Sequence, residues 1–207
     1  NRDSAPALIF QHWYLDIARH VFAERTAELY PRLLQRSYLL NHALDHLILH
    51  DADSAWWRGE RGAVISAALN DSANRLADLL GDDPGSWRLD AQLHVALQHE
   101  LGRAEPLLAP LFDRPDEPWG GSVSTVGRAR YDYSDPLRVN SGATVRVVAE
   151  MSAQPRVAAV IPGGQSGHPL SAHYADQYAG WLQGQLLPIA PRPDGLPQES
   201  LVLTPEN

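Results

Sequence analysis

The stretch PGGQSGHPLSAHYADQYAGWLQGQLLPI, Pro162 to Ile189, passes from a glycine-rich loop into a periodic segment. Ala175, Tyr178, Leu182 and Leu186 recur at helical spacing with Trp181 beside them, which predicts a short amphipathic helix over about 172–185. Just upstream, Val157 to Ile161 is a continuous apolar run of a buried strand's length. The unit reads as strand, glycine loop, helix.

The first 80 residues read differently. Pro6 suits the first turn of a helix running from Asn1 to about Glu28, with Asp3 or Ser4 as cap. Its apolar stripe is Phe10, Tyr14, Ile17 and Val21, with His12, Asp16, Arg19 and His20 facing away. Pro31 resets the chain, and a second helix follows over about 32–50 on Leu33, Leu40, Leu44 and Leu47. After a polar loop carrying Trp56 and Trp57, a third helix over about 63–80 uses Ile65, Leu69, Leu76 and Leu80, with Gly81 as its C-cap. Beyond that point the pattern mixes. Gln92 to Gln98 and Ser122 to Arg130 read as strands, and Glu105 to Phe112 as a helical turn. Ala143, Val145, Val147 and Ala149 alternate with Thr144, Arg146 and Glu150 in a strand over 143–150. Leu201 to Thr204 reads as a closing strand. Helices first and strands later give an α+β class, with a helical region at 1–85 and a mixed region with closing strands at 86–207.

Composition narrows the function classes. The net charge of -8 opposes nucleic-acid or anionic-membrane partners. All 17 basic residues are arginine, and there is no cysteine, which removes disulfides, thiolate nucleophiles and cysteine zinc sites. No apolar run reaches the ~20 residues a spanning helix needs. The sequence starts at Asn1 rather than Met, which suggests a processed or excised piece.

Candidate chemistry is sparse. Ser166, His168, His173 and Asp176 crowd one loop and invite a Ser-His-Asp reading. A nucleophile elbow, however, places its second glycine two residues after the serine, whereas Gly167 follows Ser166 directly. Triad partners also usually come from separated segments. The competing reading is a glycine turn whose polar side chains bond to backbone. His42, His46 and His50 lie at i, i+4 and i+8, a spacing that lets two chelate zinc. Their stripe lies nearly opposite the leucine face, which points them to solvent or another subunit. His94 and His99 fall on opposite faces of a strand and read as buried, hydrogen-bonded histidines. Trp56, Trp57, Trp87, Trp119 and Trp181 either serve the core or line an acyl pocket. The acidic turn Gly81 to Gly85 lacks the ligands for calcium.

The ordered motifs resemble those of the penicillin acylase (penicillin amidase) family of N-terminal-nucleophile amidohydrolases. They are Ser54-x-Trp56-Trp57, Trp87, Leu93-His94-x4-His99-x-Leu101-Gly102 and Gly120-Gly121-x3-Thr125-Val126. After these come Gly142-Ala143-Thr144-x-Arg146-x-Val148, then Gly163-Gly164-Gln165-Ser166-Gly167-His168-Pro169 and Ser171-x-His173-Tyr174-x-Asp176-Gln177. The resemblance implies the C-terminal part of a catalytic β subunit. Its helical half and mixed half would complete an αββα core.

In that family the first residue of the mature subunit, a Ser, Thr or Cys, attacks the amide carbonyl. Its own α-amino group, with a pKa near ~8, acts as base. Backbone and Asn donors hold the oxyanion. An asparagine amide is no nucleophile, so Asn1 cannot fill this role. The resemblance therefore implies no catalytic, cofactor-binding or metal-binding residue in this chain, and no cofactor. It implies as partners the rest of the acylase (the α subunit and the N-terminal part of the β subunit) and a small N-acyl substrate. Such substrates include β-lactam side-chain amides, acyl-homoserine lactones and lipopeptides. No nucleic acid or membrane partner is expected, and the location would be periplasmic or secreted. The alternative is a non-enzymatic module that binds a partner or forms a homo-oligomer.

Overall fold

A computed structural model of the chain describes residues 3–123, 125, 127–136 and 138–189. The expected closing strand at Leu201 to Thr204 lies outside them. The fold is α+β and divides into two compact units, Asn1–Ala143 and Thr144–Asn207.

The first unit is built on helices. Helix α1 spans Ala5–Thr26; the Ser4 hydroxyl accepts from the Ala7 amide at 3.2 Å, and Pro6 sits in the first turn. Pro31 opens a short helix α2, Tyr30–Leu34, and α3 follows at Ser37–His50 with Leu40, Leu44 and Leu47 buried. Helix α4, Arg61–Leu80, packs along α1 and is capped by the Gly81 amide on the Ala77 carbonyl at 2.8 Å.

The face of α1 differs from the periodic reading. His12 and Asp16 are buried, while Phe10 is exposed. A carboxylate is costly to bury alone, which is why the pattern assigned Asp16 to solvent. Helix α4 supplies what the pattern could not show: the Ser72 hydroxyl donates to Asp16 Oδ2, and Arg75 Nη2 reaches both carboxylate oxygens at 2.7 and 2.9 Å. The facing side of α4 is Ala68, Ser72 and Leu76, and small residues there let the helices close over the pair, while Leu69 turns outward. At the rim, Asp71 takes His20 Nε2 at 2.8 Å and Arg19 at 3.0 Å.

The mixed part of this unit holds two small sheets. Strand β1, His94–Val95, pairs antiparallel with β2, Glu117–Pro118, and parallel with β4, Arg138–Val139. Strand β3, Ala129–Arg130, pairs antiparallel with β5, Ser141–Gly142. The strands expected over 92–98 and 122–130 shrink to these two-residue pairings. The short helices α5, Glu100–Ala104, and α6, Ala109–Phe112, lie between β1 and β2.

The second unit is a three-stranded antiparallel sheet with one helix. Its order is β6-β7-β8, from Arg146–Glu150, Arg156–Val160 and Leu187–Ile189. Helix α7, Tyr178–Gln183, is shorter than the predicted helix because residues 172–177 belong to the glycine loop. It covers the end of the face that carries Arg146 and Val160, where the Arg146 guanidinium lies 4.7 Å from the Trp181 ring centre and donates to the Trp181 carbonyl; Val148, further along that face, is exposed.

Register then fixes the other face. Val147 stands opposite Ala159, Ala149 opposite Val157, Val157 opposite Ile189, and Ala159 opposite Leu187. Successive residues alternate sides, so this face is wholly apolar. It is also open: Val147, Leu187 and Ile189 are each more than half exposed. The run at 157–161 is therefore buried only toward α7, where Val160 is 1% exposed.

Candidate functional site

The loop between β7 and α7 is closed by its own polar groups. Gln177 holds both ends: its side-chain oxygen accepts from the Ile161 amide at 3.2 Å, and its own amide donates to the Gly163 carbonyl at 2.9 Å. The Ser166 amide reaches the His173 carbonyl at 3.0 Å. Gly164 lies under that contact. A β-carbon there would stand 2.0 Å from the His173 carbonyl oxygen and 2.5 Å from Asp176 Oδ1, so only glycine fits without movement.

Within the loop, His173 Nδ1 pairs with Asp176 Oδ2 at 2.9 Å. Ser166 Oγ accepts from the His168 amide at 3.1 Å, and His168 Nδ1 accepts from the Leu170 amide at 3.2 Å. The serine and the first histidine thus stabilise turns, and the His–Asp pair sits on an exposed edge.

The remaining histidines occupy separate places. His42, His46 and His50 are exposed on α3, with the His46 and His50 rings 5.7 Å apart. His94 pairs with Asp116 at 3.3 Å. His99 caps α5 by accepting from the Leu101 amide at 3.1 Å, and its ring stacks on Phe112 at 4.8 Å. Neither is buried, because the strand expected around them is cut short at Val95. Among the described residues, no group of three or more His, Asp or Glu is placed to hold a metal ion.

Four tryptophans serve the core. Trp57 donates to the Asp51 carbonyl at 2.9 Å and Trp87 to the Gly81 carbonyl at 2.8 Å. Trp119 and Trp181 are buried as well, while Trp56 packs on Phe22 beneath Arg25.

The first unit contains a cavity of about 450 Å³ that these tryptophans do not line. Its walls are Phe10 and Leu15 of α1, Leu89, Val123 and Tyr131. Two of its phenol hydroxyls are paired. The Tyr14 hydroxyl donates to Asp45 Oδ1 at 2.8 Å, and the Tyr133 hydroxyl donates to Asn41 Oδ1 at 2.7 Å. Burial, then the Asp45 carboxylate, raise the Tyr14 phenol above its ordinary value. One wall is the Gly120-Gly121-x3-Thr125 motif. Gly121 has φ +118°, and a β-carbon on it would lie 1.9 Å from the Gly127 carbonyl oxygen. Thr125 Oγ1 closes the turn by accepting from the Ser122 amide at 2.8 Å. The sequence reading missed this cavity. Its one legible signal was the two glycines before a threonine, which marks a tight turn without saying what the turn encloses.

Comparison with known proteins supplies the class. Acyl-homoserine lactone acylase QuiP of Pseudomonas fluorescens is 22% identical over 201 residues, covering 92% of this chain and 24% of that protein. The QuiP acylase of Pseudomonas aeruginosa is 24% identical over 183 residues, covering 78% of this chain and 22% of that protein. Penicillin acylase 2 proenzyme of Pseudomonas sp. strain SE83 is 29% identical over 150 residues, covering 65% of this chain and 18% of that protein. The class these relatives define is that of acylases with an amidohydrolase-like function. A model of the family described as Penicillin amidase matches residues 1–198, and the chain belongs to that family. It spans about a quarter of the length of the curated relatives it matches.

Proposed function

We infer that this chain is the C-terminal segment of the β subunit of a penicillin-amidase-type hydrolase of linear amides, and that it frames the active site without supplying the nucleophile. In this reading the helical region 1–85 covers the layers, and the region 86–207 adds strands to an αββα core. The substrate is a linear N-acyl amide. The relatives' names support that chemistry, and the resemblance to an exported enzyme family supports a periplasmic or secreted location.

The observation that carries the reading is the open apolar face of β6–β8. An uninterrupted apolar sheet face is stable when another layer covers it. The family match over 1–198 and the chain's share of its relatives' length supply a source for that layer. The Ser166 hydroxyl, bonded to the His168 amide, fits a framing role. The same open face favours a second reading, a self-associating module.

The test pairs the chain with the remainder of its acylase and follows acid release from a chromogenic N-acyl amide. The chain alone is expected to release none. The acylase lacking this segment is expected to be inactive and to regain activity when the segment is restored. Hydrolysis by the chain alone would falsify the framing role.

A further inference from the structure

We propose that the cavity beside α1 binds a small organic cation, a protonated or quaternary amine on an aromatic or short alkyl body. The inference goes beyond the amidase reading and does not depend on it.

Three observations converge. The volume, about 450 Å³, suits a small molecule, since ligand pockets typically run from about 300 to 1,000 Å³. The walls are rich in aromatic rings. Phe10 and Tyr14 lie 5.9 Å apart, and Tyr131 and Tyr133 lie 5.8 Å apart, all four lining the cavity. Ring faces carry negative quadrupole density and attract cations within about 6 Å. The third observation is charge. Asp45 is the one charged side chain among the described residues that line the cavity. A carboxylate has about four acceptor positions, and Tyr14 uses one of them, which leaves acceptor capacity for an ammonium donor.

The surroundings reinforce the sign. Arg88 is adjacent in sequence to the lining residue Leu89, and its guanidinium is bound to Asp90 through two contacts of 3.0 and 2.9 Å. An anionic ligand would meet Asp45 with no cation among the described residues that line the cavity to offset it, and like charges at short range repel. A neutral ligand would gain the apolar walls but leave the carboxylate unused. A cation with an apolar body uses both.

The experiment titrates the 207-residue chain with protonated benzylamine, benzyl alcohol and phenylacetate, read by ligand-observed NMR. The cation is expected to bind with a Kd at least about tenfold below those of the other two. Asp45→Asn keeps an acceptor for Tyr14, so the fold should hold. It is expected to weaken the cation at least about fivefold while leaving benzyl alcohol unchanged. Phe10→Ala, at an exposed rim position, is expected to weaken the cation too. Equal binding of all three probes overturns the proposal, as does an Asp45→Asn variant that binds the cation as before. The titration is repeated on the acylase assembled with this chain. Loss of binding there means that other polypeptide fills the cavity, which also overturns it.

Discussion

Asp16 shows how one residue can contradict its own periodicity. Its place on α1 is fixed by Ser72 and Arg75 on α4, 56 and 59 residues away, and no local pattern reports them. Removing the carboxylate leaves a buried hydroxyl and a half-buried guanidinium without their acceptor. Asp16→Ala is therefore expected to destabilise the first unit by about 2–3 kcal/mol in urea unfolding. Asp71→Asn, at the exposed end of the same interface, is expected to cost less than about 1 kcal/mol. Similar losses for the two would show that burial does not set their importance. His12, one turn before Asp16, adds a pH dependence. Burial and then the Arg75 charge hold its imidazole below the ordinary 6.5, with Asp16 opposing. The unfolded chain thus takes up a proton that the folded chain resists. Stability from this group is full above pH 6.5 and is lost as pH falls through the lower folded value. The unfolding midpoint is expected to drop from pH 7 to pH 5, with a smaller drop in His12→Gln. An unchanged drop would remove His12 from the account.

At the scale of elements, the long helices and the strands β6 and β7 were legible, and the five shorter strands were not. Helices α1, α3 and α4 repeat their apolar positions over many turns, and their caps, Ser4 and Gly81, are chemically specific. Strands β1 to β5 are two residues each, too short for alternation to mark. Helix α7 begins late because Gln177 and His173 hold the preceding residues in a loop through backbone contacts invisible to periodicity. The apolar run in β7 predicted a strand correctly, and its burial holds at Val160, while Val157 is exposed. The two faces of this sheet should respond oppositely to substitution. Val160→Ala, beneath α7, is expected to cost about 1–2 kcal/mol. Val147→Asp, on the open face, is expected to change the stability of the chain by less than about 0.5 kcal/mol while blocking assembly with the rest of the acylase. Thermal melts and co-purification together read both outcomes.

For the molecule as a whole, the family was legible because its motifs lie in order along nearly the entire length, and several of their residues have a physical role. Gly164 admits the His173 carbonyl, Gly121 turns the cavity wall, and His99 caps α5. The cavity was not legible, since its walls come from residues between 7 and 133 and meet only in the folded unit. A chain that carries an open apolar sheet face is expected to self-associate at micromolar concentration in sedimentation velocity, and Val147→Asp is expected to return it to a monomer. Monomeric behaviour of the unsubstituted chain would count against that face as a contact surface. The antiparallel pairing of β7 on both edges also governs which changes of gene length this region can survive. Loss of the Ala158 codon would push either Arg156 into the oily side or Val160 out from under Trp181. In a deletion scan this strand should therefore read as intolerant at nearly every codon, even where single replacements pass unnoticed.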